Sequence, residues 1–156
     1  MLNQIYIGID PGKTGAIAII YPGKIKIIDF ENFVKTNIFD TNYHPLRSVI
    51  NAVIEKVSSS PQQGVCSAFS FGQNYGFWQG ILYALDISYE LISPQKWQKE
   101  IFDSKKEDDR KEMSRQMARR LFPQLNEHLK RKKDHNRADA LLIAEYCRRK
   151  YQIKDS

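Results

Sequence analysis

Ile5, Ile7 and Ile9 alternate with Tyr6, Gly8 and Asp10, the two-residue period of a β-strand. The segment that follows, DPGKTG, holds a proline and two glycines and reads as a tight turn. Ala16 to Tyr21 reads as a second strand, PGK as a second turn, and Ile25 to Phe30 as a third strand. Strands joined by turns this short pair antiparallel, so a three-stranded meander is expected at the start. Asp10 then ends a strand beside a glycine turn, at a sheet edge where sites are often built. An Asp in that place can also do no more than cap the turn.

The rest of the chain alternates between the two periods. Residues 31–46 are rich in Asn, Thr and Asp and read as irregular, and Leu46 to Asn51 as a short helix or loop. AVIEKV, residues 52–57, reads as a strand, and SSSPQQG as a mobile loop. Ser67 to Leu85 has Phe71, Tyr75, Trp78, Leu82 and Leu85 at helical spacing. Gly72, Gly76 and Gly80 form one stripe on that helix. Each costs about 0.8–1 kcal/mol relative to Ala, so something is expected to pack close, either the chain's own sheet or a second copy. Ser88 to Ile92 reads as a strand, and SPQKW as a helix start with Ser93 as cap and Pro94 in first position. A charged helix is expected from about Glu107 to Phe122, stopped by Pro123. A last helix is expected from near Arg137, with Ala140, Ile143, Ala144 and Cys147 on its apolar face. At 156 residues, with no repeat, one domain spanning 1–156 is expected.

Charge is uneven along this chain. Residues 1–95 carry 6 Lys or Arg against 7 Asp or Glu, whereas residues 96–137 carry 14 against 8. The excess includes Lys105, Lys106, Arg110, Lys111, Arg137 and the run Lys130, Arg131, Lys132 and Lys133. Consecutive cations repel unless a polyanion is near, so nucleic acid is the partner expected first. A solvated helix face is the plainer alternative. Cys66 and Cys147 form no zinc or disulfide pattern, and no apolar run is long enough for a membrane span. The first residues lack the pattern of a signal peptide, so a reduced cytoplasmic setting is expected.

Four acids stand out by context. Glu55 shares a strand face with Val53 and Val57, and a buried carboxylate needs a cation or a metal. Asp134 and Asp139 flank the start of the last helix, where an acid can also simply favour the helix dipole. Together with Asp10 they make an oxygen-only set suited to Mg²⁺ or Mn²⁺. Two such ions about 3.5–4 Å apart can clamp both oxygens of an in-line phosphodiester displacement.

GIDPGKTGAIAII, a Glu-bearing strand, a glycine-bearing helix and KKDHNRADALLIAEY together resemble the RuvC-like Holliday junction resolvases, most of all their phage and chloroplast-type branch. The resemblance spans roughly residues 3–150. It implies an α/β, RNase H-like fold: a mixed five-stranded sheet, three antiparallel strands first, flanked by helices. It implies a homodimeric, metal-dependent endonuclease that nicks opposed strands of a four-way DNA junction, in recombination and repair. Asp10, Glu55 and Asp139 would be metal-binding catalytic residues. The family's remaining acid falls on Asn136 here, and Asp134 is the expected substitute, with His135 or Asn136 as alternatives. Bacterial members carry a wedging aromatic soon after the Glu. Here Phe69 and Phe71 come later, as candidates to stack on bases or as core residues. A nuclease for RNA–DNA hybrids and a silent junction-binding module are the competing functions.

Overall fold

The computed structural model describes residues 3–35, 48–58, 64–102 and 109–152. Lys105, Lys106 and most of the SSSPQQG loop lie outside the described residues. The described elements are β1 (Asn3–Asp10), β2 (Ala16–Tyr21), β3 (Lys24–Asp29), α1 (Phe30–Phe33), β4 (Ser48–Glu55), α2 (Val65–Ala84), β5 (Ser88–Ile92), α3 (Pro94–Ile101), α4 (Arg110–Leu121) and α5 (His135–Tyr151). Two 3₁₀ stretches, Pro123–Leu129 and Lys132–Asp134, bridge α4 to α5.

The five strands form one sheet in the order β3-β2-β1-β4-β5. The meander β1–β2–β3 is antiparallel, and β4 and β5 add in parallel on the other side of β1. Ile5, Ile7 and Ile9 face one side, against Ile17, Ile54, Trp78, Leu82 and Phe33. Tyr6, Ala16, Ala18 and Val53 face the other, against α5 and α3.

Several boundaries differ from the sequence reading. Strand β4 begins at Ser48, not Ala52, and ends at Glu55. Its first half was read as helix or loop because Asn51 interrupts the apolar run. The parallel pairing to β1 at Asn3–Ser48 supplies the ladder that local pattern did not reveal. Helix α5 begins at His135, two residues earlier than Arg137, so Asp139 lies in its second turn and not at the dipole end. Helix α4 begins after Asp109, whose side chain accepts from the Glu112 amide at 3.1 Å.

Helix α5 lies directly on β1. A Cβ built on Gly8 would stand 2.1 Å from the Ala144 nitrogen and 2.3 Å from the Ala140 oxygen, both backbone atoms. Only a residue with no side chain permits this approach, and the small Ala140 and Ala144 complete it. The substitution Gly8→Ala should therefore destabilise by at least the ~1–3 kcal/mol of ordinary overpacking. Thermal denaturation should show a drop of about 2–4 °C per kcal/mol in a chain of this size, and an unchanged melting temperature would contradict the packing.

Candidate active site

Asp10 closes β1 and Glu55 closes β4. Ile9 pairs with Ile54 in parallel register, so the two acids leave neighbouring strands at one level. Adjacent strands lie about 4.8 Å apart. Both acids stand two residues beyond Gly8 and Val53, on the side of the sheet that α5 covers. Asp139 comes from α5, immediately before Ala140. Three elements distant in sequence thus bring three carboxylates to one end of the sheet.

Each carboxylate has a donor. The Gly12 amide donates to Asp10 Oδ1 at 3.0 Å. Trp97 of α3 donates its indole Nε1–H to Glu55 Oε2 at 2.6 Å. The Ser114 hydroxyl of α4 is hydrogen-bonded to Asp139. The turn that holds Asp10 is itself tight. Gly15 N–H donates to Gly12 O at 2.9 Å, and a Cβ on Gly15 would stand 2.0 Å from Asp10 O.

These donors do not offset the burial. Desolvation raises the Asp10 pKa against the Gly12 amide and the charge of His135. Burial pushes Glu55 up to about 7, opposed by Trp97 and reinforced by Asp10. Burial pushes Asp139 up to about 8, opposed by Ser114 and Lys111 and reinforced by Asp10 and Glu55. The three acids therefore repel one another across a partly dehydrated space. Among the described residues, no three His, Cys, Asp or Glu side chains are drawn into a ready-made metal cluster. The donor chemistry nonetheless fits a hard divalent cation, whose charge would relieve this repulsion.

Asp134 does not join this group. Its carboxylate accepts from Arg131 Nη2 at 3.0 Å and from the Arg131 amide at 2.8 Å, and Arg137 Nη1 stands 3.8 Å away. Burial would raise its pKa, but the Arg131 hydrogen bonds and the two guanidinium charges hold it below the usual carboxylate range. A carboxylate so neutralised serves the local turn. Asp134, expected as fourth ligand, is thus engaged by Arg131 and Arg137 in this structure. His135 keeps its Nδ1 near Lys132 O at 3.2 Å, and Asn136 bonds to Thr14.

The basic run is also less free than its sequence implies. Lys130 pairs with Glu127 at 2.6 Å and Arg131 with Asp134, while Arg137 is held by Asp29. Among the described residues, Lys132, Lys133, Arg110 and Lys111 make no ion pair. Lys111 is close enough to Asp139 to act on it electrostatically. A cleft of about 280 Å³ lies between Thr14 and Gly15, Asp29 to Glu31, Arg131, and residues 133–137, and none of the three acids lines it.

Among the described residues, helix α2 joins the core from Tyr75 on, through Tyr75, Phe77, Trp78, Ile81 and Leu82. The ten residues before Tyr75, about 15 Å of helix, take no part in it. Phe69 is 67% exposed and Phe71 is half-buried, so the core alternative for this pair fails. Among the described residues, nothing lies within 4 Å of a Cβ placed on Gly72, Gly76 or Gly80. The stripe therefore does not pack on the chain's own sheet.

Trp97, Ser114 and Asp29 carry no signal in the sequence reading. Each is a single residue whose role exists only once α3, α4 or β3 is docked.

No protein-family model matches the sequence, and no curated protein does. Among solved structures, the chain is similar to that of T. thermophilus RuvC in complex with Holliday junction substrate, with a TM-score of 0.58. The alignment covers 97% of this chain and 98% of that one at 15% identity. The chain has the RuvC fold. The RNase H-like architecture expected from the sequence, a mixed five-stranded sheet with flanking helices, is therefore present.

The raised carboxylates set a pH dependence. In the window from the ordinary carboxylate range up to about 8, the folded chain binds protons that the unfolded chain has lost. The contribution of these acids to stability without metal is thus greatest at acid pH, falls as pH rises through that window, and levels off above it. Asp139→Asn removes its own share of this loss. In chelator at pH 8 the variant should melt above wild type, by about 2–4 °C for each kcal/mol regained. Near pH 4 the two should converge. A variant less stable than wild type at pH 8 would sink the account.

Proposed function

We propose that this chain is a divalent-metal-dependent endonuclease for four-way DNA junctions, acting as a homodimer. One observation carries the reading: Asp10, Glu55 and Asp139 converge from β1, β4 and α5 on the RuvC fold, where burial raises the pKa of all three and Asp10 adds to the rise at Glu55 and Asp139. Their shared need for a positive charge supports Mg²⁺, with Mn²⁺ as substitute, held by these three acids. His135, which acts on Asp10 electrostatically, is the candidate for the fourth position. When bound, such ions supply Lewis acidity for the attacking water and the leaving oxygen of a phosphodiester. Trp97 and Ser114 orient Glu55 and Asp139 toward that task. Glu55 and Asp139 must give up their protons to hold metal, so metal affinity should rise with pH through 7 to 8.

Arg110, Lys111, Lys132 and Lys133, free of ion pairs among the described residues, would meet backbone phosphates. Junction affinity should then fall steeply with salt. The exposed Phe69, on the part of α2 outside the core, is the candidate to stack on an unpaired base. Phe71 beside it is half-buried and less available. Helix α2 has no charged residue and an open glycine stripe, which supports a second copy packing there. A dimer would bring two acid clusters to the two strands of one junction.

The deciding experiment is cleavage of a synthetic four-way junction in Mg²⁺, beside linear duplex and an RNA–DNA hybrid. Paired nicks in the junction alone are expected from wild type. Asp10→Asn should abolish cleavage and retain junction binding. Degradation of the hybrid alone would move the assignment to a ribonuclease, and tight binding without any cleavage would make it a silent module. Gly76→Leu should turn the dimer into a monomer by light scattering. It should not unfold the chain, because its Cβ meets open space and Leu favours a helix over Gly by several tenths of a kcal/mol. A Gly76→Leu variant that stays dimeric would remove α2 as the contact.

A further inference from the structure

Asn136 and Arg137, consecutive in the first turn of α5, reach to two places that flank the same turn. Asn136 Nδ2 donates to the Thr14 carbonyl and is within 2.7 Å of the Thr14 hydroxyl. Thr14 lies in the turn that starts at Asp10. The Arg137 guanidinium grips Asp29 with both arms: Nε donates to Oδ1 at 2.7 Å, and Nη2 donates to Oδ2. Asp29 pairs across β3 and β2 with Ala16, the residue just past the turn. The next amide, Phe30 N–H, donates to Gly15 O at 2.9 Å. A bidentate guanidinium–carboxylate pair fixes angle as well as distance. Arg137 is also only 21% exposed at its side chain, so it is a poor surface cation for a passing phosphate.

We propose that Asn136 and Arg137 are positioning residues that clamp the DPGKTG turn onto α5 and so set the placement of Asp10 relative to Asp139. The inference deepens the nuclease reading and rests on it. It also gives Arg137 a different role from the phosphate contact expected of it. Partly exposed ion pairs contribute little to global stability, whereas a misplacement of about 1 Å at a reacting centre can cost about 10²-fold in rate. The clamp should therefore register in chemistry far more than in melting temperature.

The test compares Asn136→Ala, Arg137→Ala, Arg137→Lys, Asp29→Ala and the Asp29→Ala/Arg137→Ala double variant. Each is measured for melting temperature, for Mn²⁺ affinity by calorimetry without DNA, and for kcat and KM on the junction in Mg²⁺. Arg137→Ala and Asp29→Ala should both lower kcat, by up to about 10²-fold, with KM unchanged. Mn²⁺ affinity should weaken by about 10–100-fold, as for other supports of metal ligands. The double variant should be no worse than either single one. Lysine should not rescue Arg137, since it cannot make the paired bonds. A raised KM in Arg137→Ala with none in Asp29→Ala would make Arg137 a DNA contact and overturn the clamp. Variants with wild-type kcat and Mn²⁺ affinity would overturn it too. If wild type binds Mn²⁺ but cuts nothing, the nuclease reading fails while the clamp still stands or falls on Mn²⁺ affinity. A wild type inert toward both overturns the two together.

Discussion

The contact between α5 and β1 at Gly8 governs the geometry of everything above it. Backbone meets backbone there, with Ala140 and Ala144 as the only bulk on the helix side. A rigid contact of this kind sets the height of α5 over the sheet to within the size of a methyl group. Asp139 precedes Ala140 directly, and Asp10 follows Gly8 by two residues. The distance between these acids is therefore inherited from packing that contains no polar atom of either side chain. The clamp at Asn136 and Arg137 acts on the same helix one turn earlier.

Two electrostatic regimes meet in this fold. At the sheet end, carboxylates are gathered and buried, and burial raises Glu55 to about 7 and Asp139 to about 8. On the C-terminal half, cations outnumber acids, yet many are already answered. Arg115 is buried and donates to the carbonyls of Leu129 and Lys130, tying α4 to the segment before α5. Arg148 and Arg149 both close on the buried Glu145, and Arg149 also reaches the Glu100 carbonyl of α3. The net positive charge overstates the cations available to a partner.

Legibility in the sequence followed the strength of local pattern. The meander was readable because Ile alternates with small or polar residues and the turns carry Gly and Pro. Asp10 and Glu55 were readable because strand ends and a carboxylate amid valines are conspicuous. Asp139 was readable because it sits against an apolar helical face. The two guanidinium partners of Asp134 were not legible, because they become visible only when the 3₁₀ turn folds back. The start of β4 was hidden because parallel pairing is a long-range event with no turn to announce it. The glycine stripe on α2 was correctly seen as unusual, but its own sheet does not cover it.

The order in which the site is assembled follows from the docking of α5. Asp10 lies near the start of the chain, and Asp139 lies on the element that follows every other described element. Chains are made from the N-terminus, and earlier segments can begin to fold while later ones are still absent. Until α5 settles on Gly8, the opening meander and β4 present two acids and a bare face of β1. A growing chain of this design holds only part of its acidic group, which the docking of the last helix completes.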